Sequence, residues 1–81
     1  MRKLQPHSLW LLRFCRERME YTGGGGYAVH LGLPPDAPLG LSMMTMRGLE
    51  RRGLVEEFCN GCFRPTAEGL RYLNESAGES Q

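Results

Sequence analysis

The sequence predicts a small α+β domain in which three helices surround a two- or three-stranded antiparallel ribbon. Three features carry this expectation. Apolar residues recur at helical spacing from Pro6 to about Tyr21, a second helical stretch opens at Ser42 and is closed by Gly53, and Asn60-Gly61 lies between two short runs of strand character. A chain of 81 residues has room for one domain, expected over residues 1–75, with 76–81 as a flexible polar tail. At 41% hydrophobic and 23% charged, the composition is that of an ordinary globular domain and argues against disorder and against membrane embedding.

From Pro6 onward, Leu11, Leu12, Cys15 and Met19 fall on one helical face, and Arg13, Arg16 and Glu17 fall on the other. Trp10 and Phe14, four apart, widen the apolar surface, so this helix is expected to pack against more than one element. Pro6 suits a helix start. Thr22 and the run Gly23 to Gly26 stop the helix, since each glycine costs ~1 kcal/mol in a helix interior. Four in a row read as a flexible connector, because a phosphate-cradling loop needs a strand before it, a helix directly after it and a lysine.

Tyr27 to Leu33 reads as a short strand or one irregular helical turn, and the prolines and glycine from Pro34 to Gly40 form a rigid loop. Ser42 caps a helix from Met43 to about Arg52, in which Met46 and Leu49 point inward while Met44, Arg47 and Arg51 share the outer face. Gly48 weakens its interior, and Gly53 is placed to end it in the left-handed conformation. Leu54 to Phe58 forms a strand, Asn60-Gly61 the turn, and Phe63 begins a return strand that Pro65 ends. Thr66 then caps a last helix through Leu73, with Leu70 and Leu73 inward, before a polar tail from Asn74.

The run Leu49-Glu50-Arg51-Arg52-Gly53-Leu54-Val55-Glu56, followed after the hairpin by Arg64-Pro65-Thr66-Ala67-Glu68-Gly69, resembles the recognition-helix-to-wing segment of winged helix-turn-helix regulators of the MarR and PadR type. The resemblance spans Leu41 to Leu73. It implies a winged-helix fold with Ser42 to Arg52 as the helix placed in the major groove and Cys59 to Phe63 as the wing tip near the DNA backbone. Such likeness speaks to fold more than to function.

The residues support the same expectation on physical grounds. A helix fits the major groove, and the arginine fork matches the guanine O6 and N7 acceptors. Arg47 and Arg51, one turn apart, are the expected base readers. Ser42 and Thr45 near the helix start are expected to donate to phosphates or bases, Met44 shares that face, and Arg64 on the ribbon is expected to hold the backbone, with Arg13 and Arg16 extending the positive surface. The function expected is therefore sequence-specific binding of double-stranded DNA by a compact transcriptional regulator. Paired half-sites would make it a homodimer, although no long dimerisation helix is evident.

Three features favour a different partner. The net charge is only +1, small for a polyanion binder, and an outward Met44 beside Glu50 suits a protein groove. Prolines and glycines also occupy Tyr27 to Gly40, where a positioning helix is expected. The alternative is a winged-helix adaptor that binds a protein through Met44, Leu41 and their surroundings.

Metal, redox and catalytic chemistry are not expected. Cys59 and Cys62 have the spacing of half a zinc site, but His7, His30 and Cys15 supply no second pair. A dithiol of the thioredoxin type would sit at a helix N-terminus, which a hairpin does not offer. The histidines have no carboxylate or nucleophile at a telling spacing, so no enzyme, cofactor or metal is expected. An odd number of cysteines points to a reducing compartment, and the apolar run Leu9 to Leu12 is too short for a membrane span or a signal peptide, so the expected location is cytoplasmic.

Overall fold

The computed structural model of the chain describes residues 3–79. Pro6 opens helix α1 (Pro6–Tyr21), at a position where its missing N–H leaves no intrahelical bond unmade. The inner face buries Leu11, Leu12 and Cys15, while Met19 is only half-buried. Full burial of an aliphatic side chain such as Leu12 is worth ~1.5–3 kcal/mol, so this stripe anchors the core. Trp10 stacks on Phe14 with ring centroids 5.2 Å apart, and Phe14 meets Tyr27 edge-on at 4.9 Å. The broad apolar surface thus serves several partners, as its width predicts, and α1 packs against the sheet and both other helices.

The glycine run is a specific turn rather than a loose connector. Thr22 Oγ1 donates to the Arg18 carbonyl at 2.7 Å and accepts the Gly25 N–H at 2.8 Å, which folds the run back on the end of α1. Gly26 is buried at φ +72°, and a β-carbon there would stand 2.3 Å from the Phe63 carbonyl oxygen. Glycine is required because the chain must pass directly against the next strand in a left-handed conformation.

The stretch after it contains both of the forms that its pattern allows. Tyr27–Ala28 is a short strand, β1, and Val29–Leu31 is one turn of 3₁₀ helix. A proline-rich loop follows, with a turn closed by the Ala37 N–H on the Pro34 carbonyl at 3.0 Å. His7 Nε2 lies 2.7 Å from the Leu39 carbonyl oxygen and ties this loop to α1. No full helix occupies the place of a positioning helix between α1 and the next helix.

Helix α2 (Met43–Arg51) begins where expected, with the Ser42 hydroxyl accepting the Met44 N–H at 3.2 Å. Met46 and Leu49 are buried. Gly53, at φ +78°, reverses the chain, and the Leu54 N–H then returns to the Leu49 carbonyl at 3.0 Å. Gly48 has no atom within 4 Å of the position a β-carbon would take. Gly48→Ala is therefore expected to stabilise the fold by ~0.5–1 kcal/mol through helix propensity. Urea denaturation checks this, and a lowered midpoint would mean that the site is not open.

Strand β2 (Val55–Cys59) pairs antiparallel with β3 (Cys62–Pro65), which also pairs with β1, giving a three-stranded sheet of order β1-β3-β2. The register sets Glu56 opposite Arg64, Glu57 opposite Phe63 and Cys59 opposite Cys62, with an irregularity between Glu57 and Cys59. Phe63 and Val55 point into the core.

Thr66 opens helix α3 (Ala67–Glu79), its hydroxyl accepting the Gly69 N–H at 3.1 Å and donating to the Gly53 carbonyl at 2.6 Å. Leu73 is buried and Leu70 half-buried. The helix runs past Leu73 and the expected tail boundary to Glu79, and Ser80 and Gln81 lie outside the described residues. Helical hydrogen bonds are local and need no core beneath them, so the backbone stays helical past its last inward leucine. Tyr72 Oη accepts the Leu4 N–H at 2.8 Å, which fixes the start of the chain on α3. The architecture is α+β, with three helices about a three-stranded antiparallel sheet, consistent with a small winged-helix-like domain.

Candidate nucleic-acid interface

Helix α2 and the β2–β3 hairpin lie side by side, and one arginine links them. Arg47 Nη1 donates to Glu50 Oε1 at 2.8 Å and to Glu57 Oε1 at 3.0 Å, while its guanidinium carbon sits 5.2 Å from the centre of the Phe63 ring. Glu57 uses its other oxygen, Oε2, to accept the Gly61 N–H at 2.9 Å. The backbone bond from Gly61, and then Arg47, hold the Glu57 carboxyl below the usual carboxylate range. Glu50 and then Glu57 bind the charged form of Arg47 and push it further from deprotonation. Arg47 thus sits on the flank of α2 between two carboxylates and an aromatic face. The sequence places it on the outer face with Arg51; in the structure it braces the helix against the hairpin.

Arg51 and Arg52 are exposed and take part in no ion pair among the described residues. With Met44, 84% exposed, and the bare backbone of Gly48, Arg51 makes the outermost stripe of α2. Thr45 lies half-buried beside it, and the Ser42 hydroxyl is already engaged in its cap. Arg52, which the sequence places at the end of the helix but not among its outward readers, is the C-cap residue and is exposed beside Arg51.

Arg64 goes elsewhere. Its cross-strand partner is Glu56, and side chains opposed across a ladder share a face, so it lies on the side of the sheet away from Phe63 and Arg47. Arg64 Nε donates to Glu56 Oε2 at 3.1 Å, and its guanidinium carbon stacks 4.6 Å from the Phe58 ring centre. The structure therefore brings Met44, Thr45 and Arg51 to one surface, sets Arg47 at its edge, and separates Arg64 from it. Glu57, next to Glu56 on β2, is half-buried and organises the contact.

No protein-family model, curated protein or solved structure matches this chain. The chemistry of the surface must be judged from its own residues. Four arginines, Arg47, Arg51, Arg52 and Arg64, stand near three glutamates, Glu50, Glu56 and Glu57, and the ion pairs cancel the charge of Arg47 and Arg64 locally. Arg51 and Arg52, at the C-terminal end of α2, keep their charge unpaired among the described residues.

The other end of α2 is apolar. A cavity of about 370 Å³ opens beneath it, walled by Leu11, Tyr27, Val29, Leu33, Leu41 and Met43. Leu31, Leu39, Met43 and Met44 are exposed nearby in sequence, Leu39 to 93%. Among the described residues, no three His, Cys, Asp or Glu side chains gather to hold a metal ion, and no helix is long and apolar enough to cross a membrane.

Proposed function

We propose that this chain is a sequence-specific DNA-binding regulator that lays α2 in the major groove and sets the β2–β3 hairpin beside it. The observation that supports this most is the C-terminal end of α2, where Arg51 and the C-cap residue Arg52 are exposed and unpaired among the described residues while Arg47 holds the wing in place. An arginine fork at the groove floor reads guanine, and a neighbouring guanidinium holds phosphate. Met44 offers an apolar contact for a thymine methyl, and Thr45 and Ser42 supply donors close to the helix start. One short helix reads few base pairs, so two copies on paired half-sites are the expected working unit.

Fluorescence anisotropy with genomic and random duplexes tests the proposal. Binding is expected to weaken steeply between low and physiological salt, because each neutralised phosphate releases counterions. Arg51→Ala is expected to lose about tenfold or more in affinity, in line with the ~1–3 kcal/mol of a base contact, and Arg52→Ala to lower the salt slope by about one. Unchanged affinity in the Arg51→Ala, Arg52→Ala double variant would remove the assignment.

A second reading is favoured by the apolar end of α2, where Leu41 and Met43 line the cavity and their sequence neighbours Leu39 and Met44 stand exposed. On this reading the domain is an adaptor whose partner buries Met44. Met44→Asp is then the most damaging substitution, and binding to that partner survives salt that would dissociate a DNA complex.

A further inference from the structure

The tip of the β2–β3 hairpin carries two thiols on facing residues. Cys59 and Cys62 are register partners across the Asn60-Gly61 turn, Cys59 is exposed, Cys62 is half-buried, and both are free. Facing residues of an antiparallel pair have α-carbons ~4.5–5.5 Å apart, inside the ~4.4–6.8 Å range that a disulfide spans. The tip is also held from both sides. The Gly61 N–H is bound by Glu57, and the Gly61 carbonyl accepts the Val29 N–H at 2.9 Å. The fold thus holds the two cysteines as facing residues, at the α-carbon separation a disulfide spans.

We propose that Cys59 and Cys62 form a reversible oxidation site, at which a hydroperoxide converts the pair into a disulfide across the hairpin tip. The exposed Cys59 meets the oxidant first. Its sulfur, as thiolate, attacks the distal peroxide oxygen, the O–O bond breaks, and the departing oxygen takes a proton and leaves as water or alcohol, so that Cys59 becomes a sulfenic acid. Cys62 is the resolving thiol. The hydrogen bond with Cys59, and then partial burial, raise the Cys62 thiol above its ordinary range, so it waits protonated beside its partner. Its sulfur then attacks the Cys59 sulfur as its proton passes to the departing hydroxyl, the S–O bond breaks, and water leaves. Two thiols have lost two electrons and the peroxide has gained them. A dithiol reductant reverses the change by exchange.

Cys15 provides an internal control. It is fully buried in α1, and burial pushes its thiol up to about 12, so it presents neither access nor thiolate.

The test treats the whole protein, dilute, with hydrogen peroxide. Two of the three thiols should be lost to alkylation after denaturation. Trypsin should give one peptide, Gly53 to Arg71, lighter by two hydrogens, with Cys15 still alkylated in its own peptide. Dithiothreitol should restore all three thiols. In Cys62→Ser, the Cys59 sulfenic acid should persist long enough to be trapped by a 1,3-dione nucleophile, and in Cys59→Ser the peroxide-dependent loss should disappear. Circular dichroism establishes that both variants fold. A wild-type peptide that gains oxygen without an internal link, or a protein that joins only through intermolecular disulfides, would overturn the proposal. This chemistry is read without DNA and stands or falls separately from the proposed function.

Discussion

Phe63→Ala is expected to destabilise the domain by ~3–5 kcal/mol, enough to unfold much of a small protein at room temperature. Phe63 is fully buried at the centre of β3, the strand that pairs with both others. Its truncation leaves a cavity among α1, the sheet and α2, and it also removes the ring under Arg47. Loss of the ring should therefore act twice, on the core and on the angle between α2 and the wing. Thermal and urea unfolding followed by circular dichroism measure the first effect. A loss below ~1 kcal/mol would mean that the core does not centre on this strand.

Gly69→Ala should be of similar size, about 3 kcal/mol, for a different reason. The Leu54 residue is a clasp between helices: its N–H closes the end of α2 on Leu49, and its carbonyl accepts the Thr66 N–H at 3.0 Å at the start of α3. Gly69 is packed on that carbonyl, so an added β-carbon would stand 2.1 Å from the Leu54 oxygen and 3.3 Å from Leu12 Cδ1. Backbone cannot yield as the end of a flexible side chain can. The start of α3 must then lift away, which breaks the Thr66 contacts and exposes Leu12. Denaturant midpoints of Gly69→Ala and Gly48→Ala should move in opposite directions, although both replace a helical glycine by a better helix former. A stable Gly69→Ala protein would show that α3 does not rest on Leu54.

The contrast between those glycines marks what the sequence can and cannot tell. Helix periodicity, the Ser42 cap, the Gly53 stop and the Asn60-Gly61 turn are local signals, and each fixes an element close to its true limits. Gly26 and Gly69 are glycines for a nonlocal reason, namely the carbonyls of Phe63 and Leu54 that meet them only after folding. The short β1 is half legible, since the pattern of Tyr27 to Leu33 allows a strand or an irregular turn and pairing with β3 makes Tyr27–Ala28 the strand. Helix α3 outruns its apolar pattern because local backbone hydrogen bonds extend a helix without needing a hydrophobic repeat.

The candidate surface follows the same division. The outward positions Met44 and Arg51 follow from helix geometry alone. The capture of Arg47 by Glu57 depends on a strand register ten residues away, and the withdrawal of Arg64 to the opposite face depends on which cross-strand partner it has. Helical spacing is blind to both. Sequence spacing therefore gives arginines that share a helix, and tertiary pairing decides which of them remain available to a ligand.

The most direct test of the central claim is an amide-resolved NMR titration of the isotope-labelled protein with a duplex selected from a random pool, at low salt. Binding as proposed predicts shifts concentrated from Ser42 to Arg52 and at the hairpin tip around Gly61, reversed by added salt. Shifts confined to the exposed faces of α1 or α3, or no shifts at all with any selected duplex, would contradict it.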